Sequence, residues 1–402
     1  MVQLVVSNLL IKRLQKHFVK SLHPDLDIVS LVKELSLRSV LICAVSVALL
    51  ALYSVVWLQF AYSPTAKRSD FMIYYSAGRA PLRKLYNIQV QRELQTVEGS
   101  PFPVSGGVMP YNHTPIFVPL LHLLVDEDYV GSYLRWTVFL WLAALVCALV
   151  VFRMTDDLAL AFAALSFYPI FVAILRGHDT ILLLLGVLLC AHLLSVQRDW
   201  LAGIALSLTT IKPHIAIFLA LPIIVRPKAF LSFCAASTIL ALYSVLLVGI
   251  SGVSDFLKLI RISAAGEISG MHPLDMYNLL GLMERAGVHP NAARPVAWLI
   301  FFLSAILMLI VWKRNPSDPP FALTMLLAVV TSPHLHEHDL ALLLVTYVTL
   351  SKPNALFLLV SSLALAAPDI ISSKRQFAVA YLLMVVLLTI SIKDLRHART
   401  AT

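Results

Sequence analysis

Apolar runs of about twenty residues, the length that crosses a bilayer as a helix, recur from one end of this chain to the other. That repetition excludes an ordinary soluble domain. Only 13% of the 402 residues are charged and 59% are hydrophobic, against about 25% charged in soluble domains. A transmembrane β-barrel needs alternating ten-residue strands, and the runs do not alternate. The expected fold class is therefore an all-α polytopic membrane protein. The formal net charge of +9 belongs to span ends, where Lys and Arg set orientation, and no nucleic-acid partner is implied. The four cysteines fall inside apolar runs, where Cys behaves as a small hydrophobe, so neither disulfides nor a thiolate metal site is expected.

The runs predict about twelve spans in one domain, 39–392. They lie near 39–62, 132–152, 158–175, 180–196, a short pair around 200–225, 229–250, 292–312, 320–333, 339–351, 354–370 and 376–392. Residues 114–125, "TPIFVPLLHLLV", are too short to span and read as re-entrant or interfacial. Segment 1–38 carries Lys12, Lys16 and Lys20 opposite Leu10, Leu14 and Phe18. That pattern reads as an amphipathic helix on an anionic membrane surface or as a solvated tail. The loops "VQRDW", "VRPKA", "VWKRNP" and "LSKPN" and the tail 393–402 share one side, which the positive-inside rule makes cytoplasmic; "SSKRQ" runs against that trend. Both termini then lie inside, and the polar stretches 63–131 and 251–291 lie outside.

The unusual polar residues converge on that outer side. Asp70 opens "DFMIYYSAGRAPL", which includes Tyr74. Arg176, His178 and Asp179 sit in "RGHDT". Lys212 and His214 flank Pro213 in "TIKPHIAIF", and Asn278 lies in "MHPLDMYNLLGLMER". His334, His336, Glu337, His338 and Asp339 fill "TSPHLHEHDL". Pro213 breaks a helix between two pieces of about 16–18 Å, and broken helices at membrane depth are tolerated where they line a cavity. Lys212 at that break is either a functional cation or a snorkelling lysine. Asp70 reads as a general base or as a helix cap. His178 and Asp179 can likewise cap the helix starting near Thr180. The "HLHEHD" run offers metal-ligand side chains, but alternation in a loop is weak support for a metal, and a carboxylate–histidine mixture fits general-base chemistry equally well.

The ordered set "SDFMIYYSAGRAPLRKLYN", "MPYNHTPIFVPLL", "GHDTILLLLGVLL", "LAGIALSLTTIKPHIAIFLALPIIVRPK" and "TSPHLHEHDL" resembles glycosyltransferase family 87 over roughly 65–350. These are polyprenyl-phosphate-sugar-dependent, mannosyltransferase-like enzymes. The resemblance implies a GT-C fold with a long extracytoplasmic first loop that carries an acidic catalytic residue, matched by Asp70. The family's "KP" matches Lys212-Pro213, and its histidine five residues after "SP" matches His338. Its "GQ-x-N" stands here as Gly177-His178-Asp179-Thr180, and its "NQS"-like element as "MYNLLGL", with Asn278 in that role.

The implied activity moves mannose or another hexose or pentose from a polyprenyl-phosphate donor to a lipid or glycan acceptor on the outer face of a bacterial plasma membrane, with inversion. Asp70 and His338 would be catalytic. Lys212, His214 and Arg176 would hold the donor phosphate. Tyr74, His178, Asp179, Asn278, His334 and His336 would contact substrate. No cofactor and no metal is expected, and the remaining partners are membrane lipids. Three rivals stay open: a polyprenyl-lipid or solute transporter, in which Lys212 and His178 line a substrate path; a membrane metallohydrolase; and a non-catalytic lipid-binding homologue.

Overall fold

The computed structural model describes residues 36–63, 65–66, 69–95, 108–265, 273–315, 320–370 and 376–400. All regular structure in them is helical. The surface-lying helix expected within 1–38 falls outside the described residues except for its last three positions.

Helix α1 (Leu37–Ala61) begins two residues before the expected span, because the Ser36 hydroxyl caps it by accepting from the Ser39 amide at 3.2 Å. The first outer stretch folds into α2 (Phe71–Arg79) and α3 (Ile88–Gln95). A 3-10 turn, Pro115–Phe117, and α4 (Val118–Leu124) follow. They form the ten-residue apolar piece expected to be too short to span. Next come α5 (Tyr129–Thr155), α6 (Leu158–Leu165), α7 (Tyr168–Leu175), α8 (Thr180–Ser195), α9 (Asp199–Ser207) and α10 (Pro213–Ile223). Asp157 caps α6 through the Leu160 amide at 3.0 Å. Pro213 sits at the first turn of α10, where its missing N–H costs nothing.

The chain then runs through α11 (Pro227–Ala265), α12 (Leu279–Arg285), α13 (Pro290–Arg314), α14 (Phe321–Thr331), α15 (Leu343–Val348), α16 (Ala355–Ile370) and α17 (Gln376–Thr400).

Three expected boundaries are corrected. Residues 251–265, read as loop, continue α11 beyond a break at Gly249, whose φ of 73° only glycine adopts cheaply. The span expected at 339–351 is instead a 3-10 turn, Glu337–Leu342, followed by the six residues of α15, all buried. A short apolar run reads alike as a core helix or a span, and here the core won. The tail from 393 to 400 is the end of α17.

Six helices among the described residues are long and apolar enough to cross a membrane: Leu37–Ala61, Tyr129–Thr155, Leu158–Leu175, Pro227–Ile262, Pro290–Arg314 and Phe377–Arg396. Six further apolar helices are shorter; they include Pro115–Leu124, read as too short to span, and none covers 339–351. Eleven of the twelve expected spans thus have a counterpart among these helices, and only when both kinds are counted. The chain is a polytopic membrane protein. Leu158–Leu175 is the most enclosed span, whereas α1 and α11 turn Leu, Val and Ile outward. A helix apolar all round belongs in a core or in lipid, and this bundle uses both solutions. The four cysteines are free.

Candidate active site

Four helix junctions and one loop meet at one end of the bundle. The segment after α1 supplies Asp70. The turn between α7 and α8 supplies Arg176, His178, Asp179 and Thr180, and the break before α10 supplies Lys212 and His214. The stretch after α14 supplies Ser332 to Asp339. The loop before α4 supplies Tyr111 and His113. Gly177, with φ 69°, makes the tight turn that brings 176–180 inward. A side chain at Gly177 would meet Phe71 Cβ at 2.8 Å and its ring at 3.2 Å, so this close approach favours glycine.

Asp70 occupies the N-cap position of α2, yet its side chain makes no capping bond. Its carboxylate instead faces His338, with Oδ2 3.6 Å from Nδ1. Asp70 is 26% exposed, whereas His338 is 5%. The capping reading therefore does not account for the residue. His338 Nδ1 has no hydrogen-bond partner. Its ring stacks on His178 with centroids 3.6 Å apart, and its Nε2 lies 3.7 Å from Asp339 Oδ2.

Beneath this pair lies a buried ionic floor. The Lys212 ammonium pairs with Asp339 Oδ1, which also accepts from the Thr180 hydroxyl at 2.6 Å. The second Asp339 oxygen accepts from the His336 amide at 3.1 Å. Lys212 is 7% exposed, which removes the snorkelling reading. Burial opposes ionisation of Asp339, but Lys212, His178 and Thr180 outweigh it and hold the carboxyl well below its ordinary range. Burial, reinforced by neighbouring cations and rings, pushes His178, His334 and His338 well below the ordinary imidazole value and keeps them neutral.

Asp179 is equally buried. Its amide donates to the Tyr74 hydroxyl at 3.2 Å. Its carboxylate meets His113 Nδ1 at 3.0 Å and His178 Nδ1 at 3.3 Å, and neither contact is aligned as a hydrogen bond, since His113 Nδ1 and Asp179 Oδ1 remain without one. The cap of α8 comes from His178, whose Nδ1 accepts from the Thr180 amide at 3.3 Å, while Asp179 caps nothing.

At the rim, Arg176 is 43% exposed and bonds Glu337 at 2.7 Å. His214 and His334 face each other at 6.3 Å, and His334 and His336 at 4.7 Å.

Ten of the eleven residues expected to act thus share one cluster. Asn278 joins it only indirectly. Its amide caps α12 through Gly281 N and donates to Ser332 O, both at 2.8 Å, which secures the loop beneath His334. Sequence reasoning passed over His113 and Thr180. Both stand inside quoted motifs, but each acquires meaning only from partners 66 and 159 positions away, Asp179 and Asp339. The metal-spaced groups, His113–His178–Asp179 and His178–His338–Asp339, likewise draw on several segments and not on "HLHEHD" alone.

The model of one protein family, Glycosyltransferase family 87, matches residues 111–333. That is more than half of the chain, from just before His113 to just before His334. No curated protein and no solved structure matches the chain.

Proposed function

Because the chain belongs to glycosyltransferase family 87, and is thus a multi-pass membrane glycosyltransferase, we propose that it takes a hexose or pentose such as mannose from a polyprenyl-phosphate donor. The acceptor is a lipid or glycan hydroxyl at the extracytoplasmic face, and the fold is of the GT-C type with both termini inside. Asp70 is the general base. It is the most exposed carboxylate of the cluster, released from capping and facing the unpartnered Nδ1 of His338 at 3.6 Å; this one observation carries the assignment. A carboxylate open to the acceptor on one side can take the hydroxyl proton as the new glycosidic bond forms, while the donor phosphate departs with the electrons of the old one. Attack opposite the leaving phosphate inverts the anomeric carbon. His338 shares or steadies that proton.

The phosphate anion needs donors. Arg176 is the cation at the rim, and Lys212 with His214 lies deeper. An apolar cavity of about 300 Å³ opens beside Pro213, lined by Thr210, Ala216, Ile217, Phe233 and Leu240 among others. It gives an isoprenoid chain a berth next to Lys212, which supports a lipid-linked donor over a water-soluble one.

The test is to incubate membranes with a panel of radiolabelled polyprenyl-phosphate sugars, comparing wild type with Asp70→Asn. Transfer by wild type that collapses in the variant supports the reading. Equal transfer by both removes Asp70 from catalysis.

A further inference from the structure

A buried triad in the cluster takes no part in the proton and phosphate steps described above. His113 and Asp179 are 8% and 2% exposed in their side chains, and His178 is 7%. Each offers one ligand atom within 4.8 Å of the others. We propose that His113, His178 and Asp179 bind a divalent cation, with zinc the best match to two imidazoles and one carboxylate.

Geometry supports this first. Zinc bonds of about 2.0–2.2 Å at tetrahedral angles place neighbouring ligand atoms roughly 3.3 Å apart. Asp179 Oδ2 lies 3.0 Å from His113 Nδ1 and its other oxygen, Oδ1, 3.3 Å from His178 Nδ1, so the carboxylate bridges the two rings and would turn one oxygen toward a cation held between them. The His113 and His178 rings stand at 61° with centroids 5.5 Å apart, so their planes can converge on one point. The other metal-spaced group fails this test. His178 and His338 are stacked at 21°, so their planes run side by side, and Asp339 is already held by Lys212.

Satisfaction supports it second. His113 Nδ1 and Asp179 Oδ1 are buried polar atoms without a hydrogen bond, and native proteins rarely leave such atoms unmatched. His178 Nδ1 accepts from the Thr180 amide at 3.3 Å and lies 3.0 Å from the Thr180 hydroxyl, whose proton goes to Asp339; the long amide bond is one that a cation can replace.

Charge supports it third. Four carboxylates, those of Asp70, Asp179, Glu337 and Asp339, face two side-chain cations, Lys212 and Arg176. A divalent cation closes that gap at its most buried point. Bound there, it would fix the ring of His178, and through the stack the ring of His338. Three protein ligands leave one position for an oxygen donor. The inference stands on this geometry and not on the proposed reaction.

The experiment uses purified full-length protein in detergent, stripped with a chelator and then titrated with Zn²⁺ or Co²⁺. Expected are about one tightly held zinc per chain and the intense visible bands of tetrahedral cobalt. In His113→Ala and Asp179→Asn the dissociation constant should rise at least about tenfold, whereas His122→Ala, an exposed histidine elsewhere, should bind as wild type. X-ray absorption of zinc-loaded wild type guards against a variant that does not fold, and should give a shell of imidazole nitrogen and carboxylate oxygen. No retained zinc in wild type, equal affinity in the two ligand variants, or a shell lacking imidazole would overturn the proposal.

Discussion

The rim and the floor of the polar cluster are built from the same residue types under opposite conditions. At the rim, Asp70 and Arg176 keep 26% and 43% of their side chains in contact with the surroundings. At the floor, Asp339 and Lys212 keep 2% and 7%. A buried ion pair adds little net stability, because desolvation offsets attraction, but it strongly resists losing one member. The floor is thus suited to holding four junctions in register, and the rim to meeting substrates. Under the proposed function one carboxylate does chemistry and the other holds shape, and exposure separates them.

The largest effect should come at the rim. Asp70→Asn keeps size and removes the basic oxygen. Transfer by purified protein should fall about 10²–10⁴-fold, the usual worth of general-base help. Donor binding and thermal unfolding should change little, since the side chain caps nothing. A variant with near wild-type turnover would erase the distinction between rim and floor.

The floor should answer in stability. Asp339→Asn leaves the Lys212 ammonium buried without its anion, at a cost of about 3–5 kcal/mol. The paired replacement Lys212→Met with Asp339→Leu should recover most of that loss, because no charge is then stranded. Denaturant unfolding of both variants in detergent checks this. If the double variant is as unstable as the single one, the hydrogen bonds that Asp339 accepts from the Thr180 hydroxyl and the His336 amide, and not the stranded charge, carry the loss.

Acid should reach the same layer. His334 and His338 are held neutral by burial first and by neighbouring histidines and Lys212 second, below the ordinary 6.5. Below that value the unfolded chain binds protons that the folded chain refuses. Stability therefore falls as pH drops, by up to about 1.4 kcal/mol per pH unit for each histidine. The carboxyls of Asp179 and Asp339, held low despite burial by neighbouring His113 and Lys212, carry their own dependence at lower pH, so pH 7.5 to 5.5 is the window for the histidines. An unfolding midpoint that does not move across it would mean these rings are already protonated in the fold.

Much of this cluster was legible before any coordinates. Junctions lying on one side of the bundle follow from span parity and basic loops, so Asp70, Arg176, Lys212 and His338 were expected together. What the chain does not spell out is pairing across distance. Lys212 and Asp339 are 127 positions apart, and no periodicity links them. Asp339 therefore read as a candidate metal ligand and not as the lysine's partner. Hydropathy also misjudged 339–351, because a fully buried helix and a lipid-facing one have the same composition. The Gly249 break in α11 was missed for a similar reason: one glycine inside a long apolar run leaves the hydropathy profile unchanged.

The smallest expected effect concerns Asn278, which separates recognition from support within one residue. The resemblance gave it a substrate role, yet its amide is engaged by Gly281 N and Ser332 O and its side chain is fully enclosed. Asn278→Ala should lose a helix cap, typically about 1 kcal/mol, and leave the Ser332 carbonyl short of a donor. Asn278→Asp keeps the cap but replaces the donor to Ser332 with a buried carboxylate oxygen facing that carbonyl, an added cost. Both variants should unfold earlier, while turnover per folded molecule and acceptor KM stay close to wild type. A raised KM in Asn278→Asp at unchanged stability would move this residue from the supporting layer to the recognition layer. The boundary between the two would then lie deeper than exposure alone suggests.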